Sequence, residues 1–416
     1  MKEALDHEDR KQLKRSAPAN LGETPKLKEK KLMKKQMMAM ALATTMIVAA
    51  LSACGSGSAS TTTAAATEAA KTEAATTAAA AEATTAAATE AAKEEGSAHA
   101  GQTYKVGIMQ FMDHPSLNQI ADNLKAELDT LSDKEGVTFD YQDYDFNGQG
   151  DATTLNQIAA QLISDQVDVI VPIATPAAQI AQSAAEGTNL PIVFSAVSDP
   201  VSAKLVDSME KPGANITGTS DFLNTNAIMD LMLAANPDVD YVGLLYSKSE
   251  DSSTVPIEDA KKYLDGKGIK YIEKTGTTTD EVSQAVDALI AEGVDAVFTP
   301  TDNTIQKAEL AFYEKLQDAK IPHYAGADSF ALNGGFCGYG VDYSNLGKAT
   351  ADMVADILLN GKSPAEVSVE TFDNGIATIN TDTCAAIGYD LDKVKEAFGP
   401  LCTQIVETTT QKEFNN

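Results

Sequence analysis

VDVIVPIATPAAQIAQSAAEGTNLPIVFSAVSDP, residues 167–200, decides the fold, because residues 294–329 repeat its plan as VDAVFTPTDNTIQKAELAFYEKLQDAKIPHYAGADS. Each copy opens with a run of β-branched and apolar residues, as a strand buried on both faces requires. A polar corner with a proline follows, then a helix of small or amphipathic residues and a proline-led second strand. That is a βαβ unit, whose parallel strands need helices over both faces.

The flanks repeat as well. YKVGIMQF (104–111), a helix over 116–136, the strand VTFDYQDYDF and a helix over 151–166 precede the first copy. DYVGLLYS (240–247), a helix over 255–268, the strand IKYIEKTGT and a helix over 279–293 precede the second. The order β-α-β-α-β-α-β therefore occurs twice, and the expected architecture is two similar α/β lobes.

The chain has 416 residues, enough for two or three domains, and a formal net charge of −28. Such an acidic balance argues against nucleic acid as a partner, since phosphates need a basic face. Four widely spaced cysteines without a CxxC pair indicate neither a disulfide framework nor a zinc site.

Residues 1–32 are polar and charged, and Met33 opens a better secretion signal than Met1 does. MKKQ supplies positive charge and MMAMALATTMIVAAL an apolar run too short for a typical membrane span. Leu51-Ser52-Ala53-Cys54 closes it and resembles a bacterial lipobox. That resemblance implies cleavage before Cys54, its lipidation, and attachment outside the cytoplasm to the membrane by acyl chains. Residues 59 to about 101 are Ala/Thr/Glu-rich without an aromatic residue and read as an extended tether.

In parallel sheets the ligand crevice lies beyond the carboxyl ends of the strands. Those ends carry residues 110–116, 174–178, 195–200, 221–222, 246–249, 300–304, 327–330 and 338–343, rich in Ser, Thr, Asn and Asp beside Pro or Gly. For any one of them helix capping is an equal or better explanation. Collectively they fall on the crevice side of both lobes.

Thr175-Pro176-Ala177-Ala178 is the most suggestive corner. A helix start with small side chains leaves its N–H groups reachable by a carboxylate. Asp199, Asp221, Asp302, Asp328 and Asp342 are candidates for an ammonium group, with Asp221 and Asp342 preferred. Phe111, Phe222, Tyr246 and Phe330 are candidate walls for a flat substituent. Neither a Gly-rich phosphate loop nor a GxSxG or HExxH motif occurs. His114 beside Asp113 is a conceivable base, although a loop histidine is more often a cap or a ligand contact. Cys337, Cys384 and Cys402 read as core thiols, with a Cys384–Cys402 bridge as the alternative.

The segments VGIMQFMDHPSLN, PIATPAAQ, VFSAVSDPV, ITGTSD, TPTDNTI, YAGADSF and GYGVDYSNLG together resemble the substrate-binding lipoproteins of bacterial ABC importers. The similarity is strongest to the subfamily that binds tryptophan and other aromatic amino acids. It implies a type I architecture: two doubly wound, Rossmann-like α/β lobes joined by a three-strand hinge and closing on a small solute. Lobe one would comprise 104–219 plus 327–362, and lobe two 220–326 plus 363–407. Residues 1–53 would be extension and signal peptide, 54–102 lipidated cysteine and tether, and 408–416 a tail.

The expected binding residues are Phe111, Ser116, Thr175, Pro176, Ala177, Ser195, Asp221, Tyr246, Asn303, Asp328 and Asp342, with no catalytic residue, cofactor or metal. The implied partners are an ABC permease and its ATPase, and the protein would act as a monomer. A lipoprotein sensor signalling through a membrane partner, or a hydrolase built on Asp113 and His114, are the competing functions.

Overall fold

The computed structural model describes residues 99–412 apart from Asn374; Cys54, its lipobox, the signal segment and most of the tether lie outside the described residues. The first half forms β1 (Thr103–Gln110), α1 (Pro115–Glu135), β2 (Thr138–Asp140), β3 (Asp145–Asn147), α2 (Ala152–Ser164), β4 (Val169–Ile173), α3 (Thr175–Ala184), β5 (Ile192–Phe194) and β6 (Ile216–Ser220). The second forms α4 (Thr225–Ala235), β7 (Tyr241–Tyr246), α5 (Thr254–Lys267), β8 (Lys270–Thr275), α6 (Thr279–Glu292), β9 (Ala296–Thr299), α7 (Asn303–Asp318), β10 (His323–Ala325), α8 (Asp328–Leu332) and β11 (Cys337–Gly340). Then follow α9 (Tyr343–Asn360), β12 (Glu370–Thr371), β13 (Ile376–Asn380), α10 (Thr381–Ile387), α11 (Leu391–Phe398) and β14 (Gln404–Thr408).

Two sheets result, β12-β6-β5-β4-β1-β2 with β3 also on β1, and β14-β13-β11-β10-β9-β7-β8. Within each, the first five strand positions of the repeat run second, first, third, fourth, fifth, so the duplication seen in sequence is a duplication of topology. Every described pairing is parallel except β11 with β13. Among the described residues no helix is long and apolar enough to cross a membrane.

The continuous apolar runs resolve into alternation once the sheets are covered. Val169, Val171 and Ile173 of β4 pack in the same core as α1 and α9, whereas Ile170 faces the core under α2 and α3. In β9, Ala296 and Phe298 enter one core and Val297 the other. Helices α1 and α9 pack backbone to backbone at Gly347, where an added Cβ would lie 2.5 Å from the Ile120 carbonyl oxygen.

Three expectations change. The strand VTFDYQDYDF is two short strands separated by a turn closed by Tyr144 N–H to Tyr141 O (2.9 Å), each pairing with a different part of β1. The second lobe-to-lobe crossing falls after β11, not at 327, because Cys337 and Gly338 pair with Tyr324 and Ala325 inside the second sheet. The third falls after β12, not at 363, because Glu370 and Thr371 pair with Thr219 and Ser220 of the first. Three short passages, after β6, β11 and β12, thus connect the lobes. Cys337, Cys384 and Cys402 are free thiols.

Candidate functional site

The two switch points, between β1 and β4 and between β7 and β9, aim their carboxyl-end loops at one another. A narrow cleft lies between them, with about 30 Å³ of free volume in this closed form. His114, Ser116, Leu117, Thr175, Ala196 and Ser198 line it from the first lobe, and Ser252, Thr301, Asp302, Asn303, Ser329 and Phe330 from the second. Asp221 and Tyr343, both at crossings, close it at the hinge.

Hydrogen bonds cross the cleft at several points. His114 Nε2 meets Asn303 Oδ1 (3.1 Å), and Ser116 Oγ donates to Asp328 Oδ1 (2.8 Å). Ser198 Oγ meets Thr301 Oγ1 (2.9 Å), and Gln179 Nε2 donates to Asp251 Oδ2 (2.7 Å). The lobes are therefore closed on each other.

Helix starts give the cleft its electrostatics. Most helices begin under a side-chain cap, for example Asp151 on Thr154 N–H and Asn224 on Ala227 N–H. Helices α1, α3 and α8 begin at His114, Ala174 and Ala327 without one, and all three of those residues line the cleft. Their first turns leave N–H groups and partial positive charge directed at whatever enters. Ala174 is held at φ 80°, ψ 153° and Ala196 at φ 54°, backbone normally left to glycine. The Ala174 N–H to Ser195 O bond (2.9 Å) pins that strained corner and sets Thr175 against the cleft.

Buried carboxyl groups supply the opposite sign. Asp221, 6 % exposed, accepts from Ser198 Oγ (3.0 Å), and burial pushes its pKa up to about 7. Asp302 is occupied as the cap of α7: Oδ1 takes Ile305 N–H (2.9 Å), and Oδ2 takes Ser247 N–H (2.6 Å) and Ser253 Oγ (2.7 Å). Beside it, burial and the Asp302 charge raise Glu250 well above the carboxylate range. The three donors on Asp302 favour its anion, so the proton of this pair belongs on Glu250. Burial also raises the Tyr343 hydroxyl, aided by the charges of Asp221 and Asp328.

These shifts fix a pH dependence. A carboxyl raised in the folded state binds its proton more tightly there than in the unfolded chain. Its stabilisation is full below about pH 4 and is lost as pH rises through the folded value, at about 1.4 kcal/mol per pH unit and group. Ligand-free protein is expected to melt at lower temperature at pH 8.5 than at pH 6. Glu250→Gln is expected to reduce that loss; an unchanged pH profile in the variant would show that Glu250 is not the group responsible.

Of the residues expected from sequence, Ser116, Thr175, Asp221 and Asn303 meet in the cleft, and Asp328 adjoins it through Ser116. The others lie elsewhere. Ser195 is fully buried in a hydroxyl cluster with Thr219 and Thr350, and Ala177 belongs to the core beneath α3. Pro176 occupies the first turn of α3 outside the lining. Phe111 flanks a separate groove with Lys307, and Tyr246 donates to Glu273 on the outer strands. Asp342 caps α9 through Ser344 and Asn345 N–H. Capping thus claimed one of the two preferred aspartates and left the other free. Ser198, Thr301, Gln306 and Tyr343 had not been singled out. Thr301 and Gln306 flank the start of α7 and Tyr343 opens α9, helices that Asp302 and Asp342 cap, and Ser198 lies in the loop after β5, so no local signal marks them.

Residues 105–392 match the family model of ABC transporter substrate binding proteins. A tyrosine-binding protein of Clostridioides difficile is 33% identical over 291 residues, covering 70% of this chain and 81% of that protein. A Streptococcus pneumoniae ABC domain solved in complex with L-Trp has 31% identity and a TM-score of 0.67, covering 73% of this chain and 100% of its own. A ligand-free, open substrate-binding protein with adhesive properties from Clostridium difficile has 32% identity and a TM-score of 0.56, covering 74% and 100%. The better fit to the liganded structure accords with the closed lobes.

Proposed function

The chain belongs to the ABC transporter substrate-binding protein family, and from that premise we propose that its cleft binds an aromatic α-amino acid as a zwitterion. The observation that carries this reading is the pairing of opposite signs in one small cleft: the N–H groups at the uncapped start of α3, behind Ala174, and the carboxylate of Asp221. The first suit an α-carboxylate and the second an α-ammonium group. Phe330 and Tyr343, with Leu117 and three alanines, give the remaining space flat and apolar walls. The ligands named for the C. difficile and S. pneumoniae relatives, tyrosine and L-Trp, point the same way.

The closed, loaded form presents both lobes together to a membrane permease whose ATPase drives uptake, and the protein works as a monomer held to the membrane through a lipidated Cys54. On this reading the solute is delivered unchanged, and His114, bonded to the amide of Asn303, serves the cleft as a binding residue.

The test is a thermal-shift panel of amino acids, nucleosides and vitamins on protein stripped of solute by unfolding and refolding. A ligand at 100 times its Kd adds about 2.7 kcal/mol to the native state. Tyrosine, tryptophan or phenylalanine is expected to raise Tm by about 4 °C at such concentrations. Shifts with nucleosides or vitamins alone would discard the ligand assignment.

A further inference from the structure

Among the described residues four buried side-chain polar atoms have no hydrogen-bond partner, and one of them, Nδ1 of His114, belongs to a residue lining the cleft. The network around it settles its chemistry. Asn303 Nδ2 donates to Glu250 Oε2 (3.1 Å), which turns the amide so that Oδ1 faces His114 Nε2. Asn303 Oδ1 can only accept, so Nε2 carries the hydrogen. A proton on Glu250 does not disturb this order, because it fits Oε1, which faces Thr304 Oγ1 at 3.0 Å, and leaves Oε2 accepting. Burial holds the ring neutral, with its pKa lowered to about 4. Nδ1 therefore bears a lone pair, buried on a residue 7 % exposed, and α1 does not use it as a cap.

We propose that His114 sets which aromatic side chain the cleft prefers: its Nδ1 accepts a hydrogen bond from a neutral N–H or O–H donor on the ligand ring, a phenol or an indole, and so selects against a plain phenyl group. This rests on the aromatic amino acid reading above. The ammonium group is the other donor such a ligand carries, and it is drawn to Asp221, a cleft carboxylate that caps no helix. A neutral acceptor matched to a neutral donor discriminates strongly, because the wrong ligand leaves the buried lone pair unpaired.

The test is calorimetric titration of the full chain, stripped of solute, with L-tyrosine, L-tryptophan and L-phenylalanine, in the wild type and in His114→Phe. Wild type is expected to bind the first two about ten- to a hundredfold more tightly than phenylalanine. The variant is expected to lose that preference, binding all three within about threefold of one another, while the lost bond to Asn303 lowers affinity for each of them. Equal binding of all three by wild type would overturn the proposal, and that comparison stands even if the variant does not fold. A preference that persists in His114→Phe would overturn it as well. If wild type binds none of the three, the aromatic amino acid reading itself fails and takes this inference with it.

Discussion

Asp221→Asn is expected to lower affinity for L-tyrosine or L-tryptophan by roughly 30- to 5,000-fold, the range for removing one partner of a buried charge pair. The exchange keeps the shape and most of the hydrogen bonding at the hinge, so the loss reports charge. Stability should move the other way. The native state holds Asp221 with a pKa near 7 at a cost above that pH, which the neutral amide removes. A variant that binds weakly yet melts at the same or a higher temperature at pH 8 cannot be explained as misfolded. Tyr246→Phe provides the contrast: its hydroxyl serves Glu273 outside the cleft, and affinity should stay within about twofold. If Asp221→Asn binds as the wild type does, the ammonium site lies elsewhere.

Thr175→Asp is expected to cost affinity about 100-fold or more, because it puts a second carboxylate where the ligand's own should lie. Like charges so placed cost several kcal/mol. In the ligand-free protein the same aspartate sits in the first turn of α3, where the uncapped N–H groups offset part of the cost of burying its charge at a site 3 % exposed. A variant that folds and still binds normally would move the carboxylate away from α3.

Much of this fold could be read from local pattern. Val169–Ile173 and Thr175–Ala184 fall where the β-branched run and the Thr-Pro corner place them. What local pattern does not carry is membership of a sheet. CGYG at 337–340 looks the same whichever lobe claims it, and only its register with Tyr324 and Ala325 assigns it to the second. The site divided along the same line. Cap-forming residues at strand ends are ambiguous one at a time, and Asp342 proved a cap while Asp221 lines the cleft. Ser195 shows the other limit: its position after β5 is right, but its hydroxyl turns inward to Thr350, a partner 155 residues away in the chain. The readable clue lay in what was missing, since Ala174, His114 and Ala327 stand where a capping side chain would otherwise be.

The most direct measurement compares L-tyrosine with two analogues, tyramine and 3-(4-hydroxyphenyl)propionate, by calorimetry on stripped protein. Tyramine lacks the carboxylate and the propionate lacks the ammonium group, while both keep the phenol. The zwitterion account expects L-tyrosine to bind and each analogue to fall by about 100-fold or more, because each leaves one set of cleft charges unmatched. Binding of either analogue as tightly as tyrosine would contradict it.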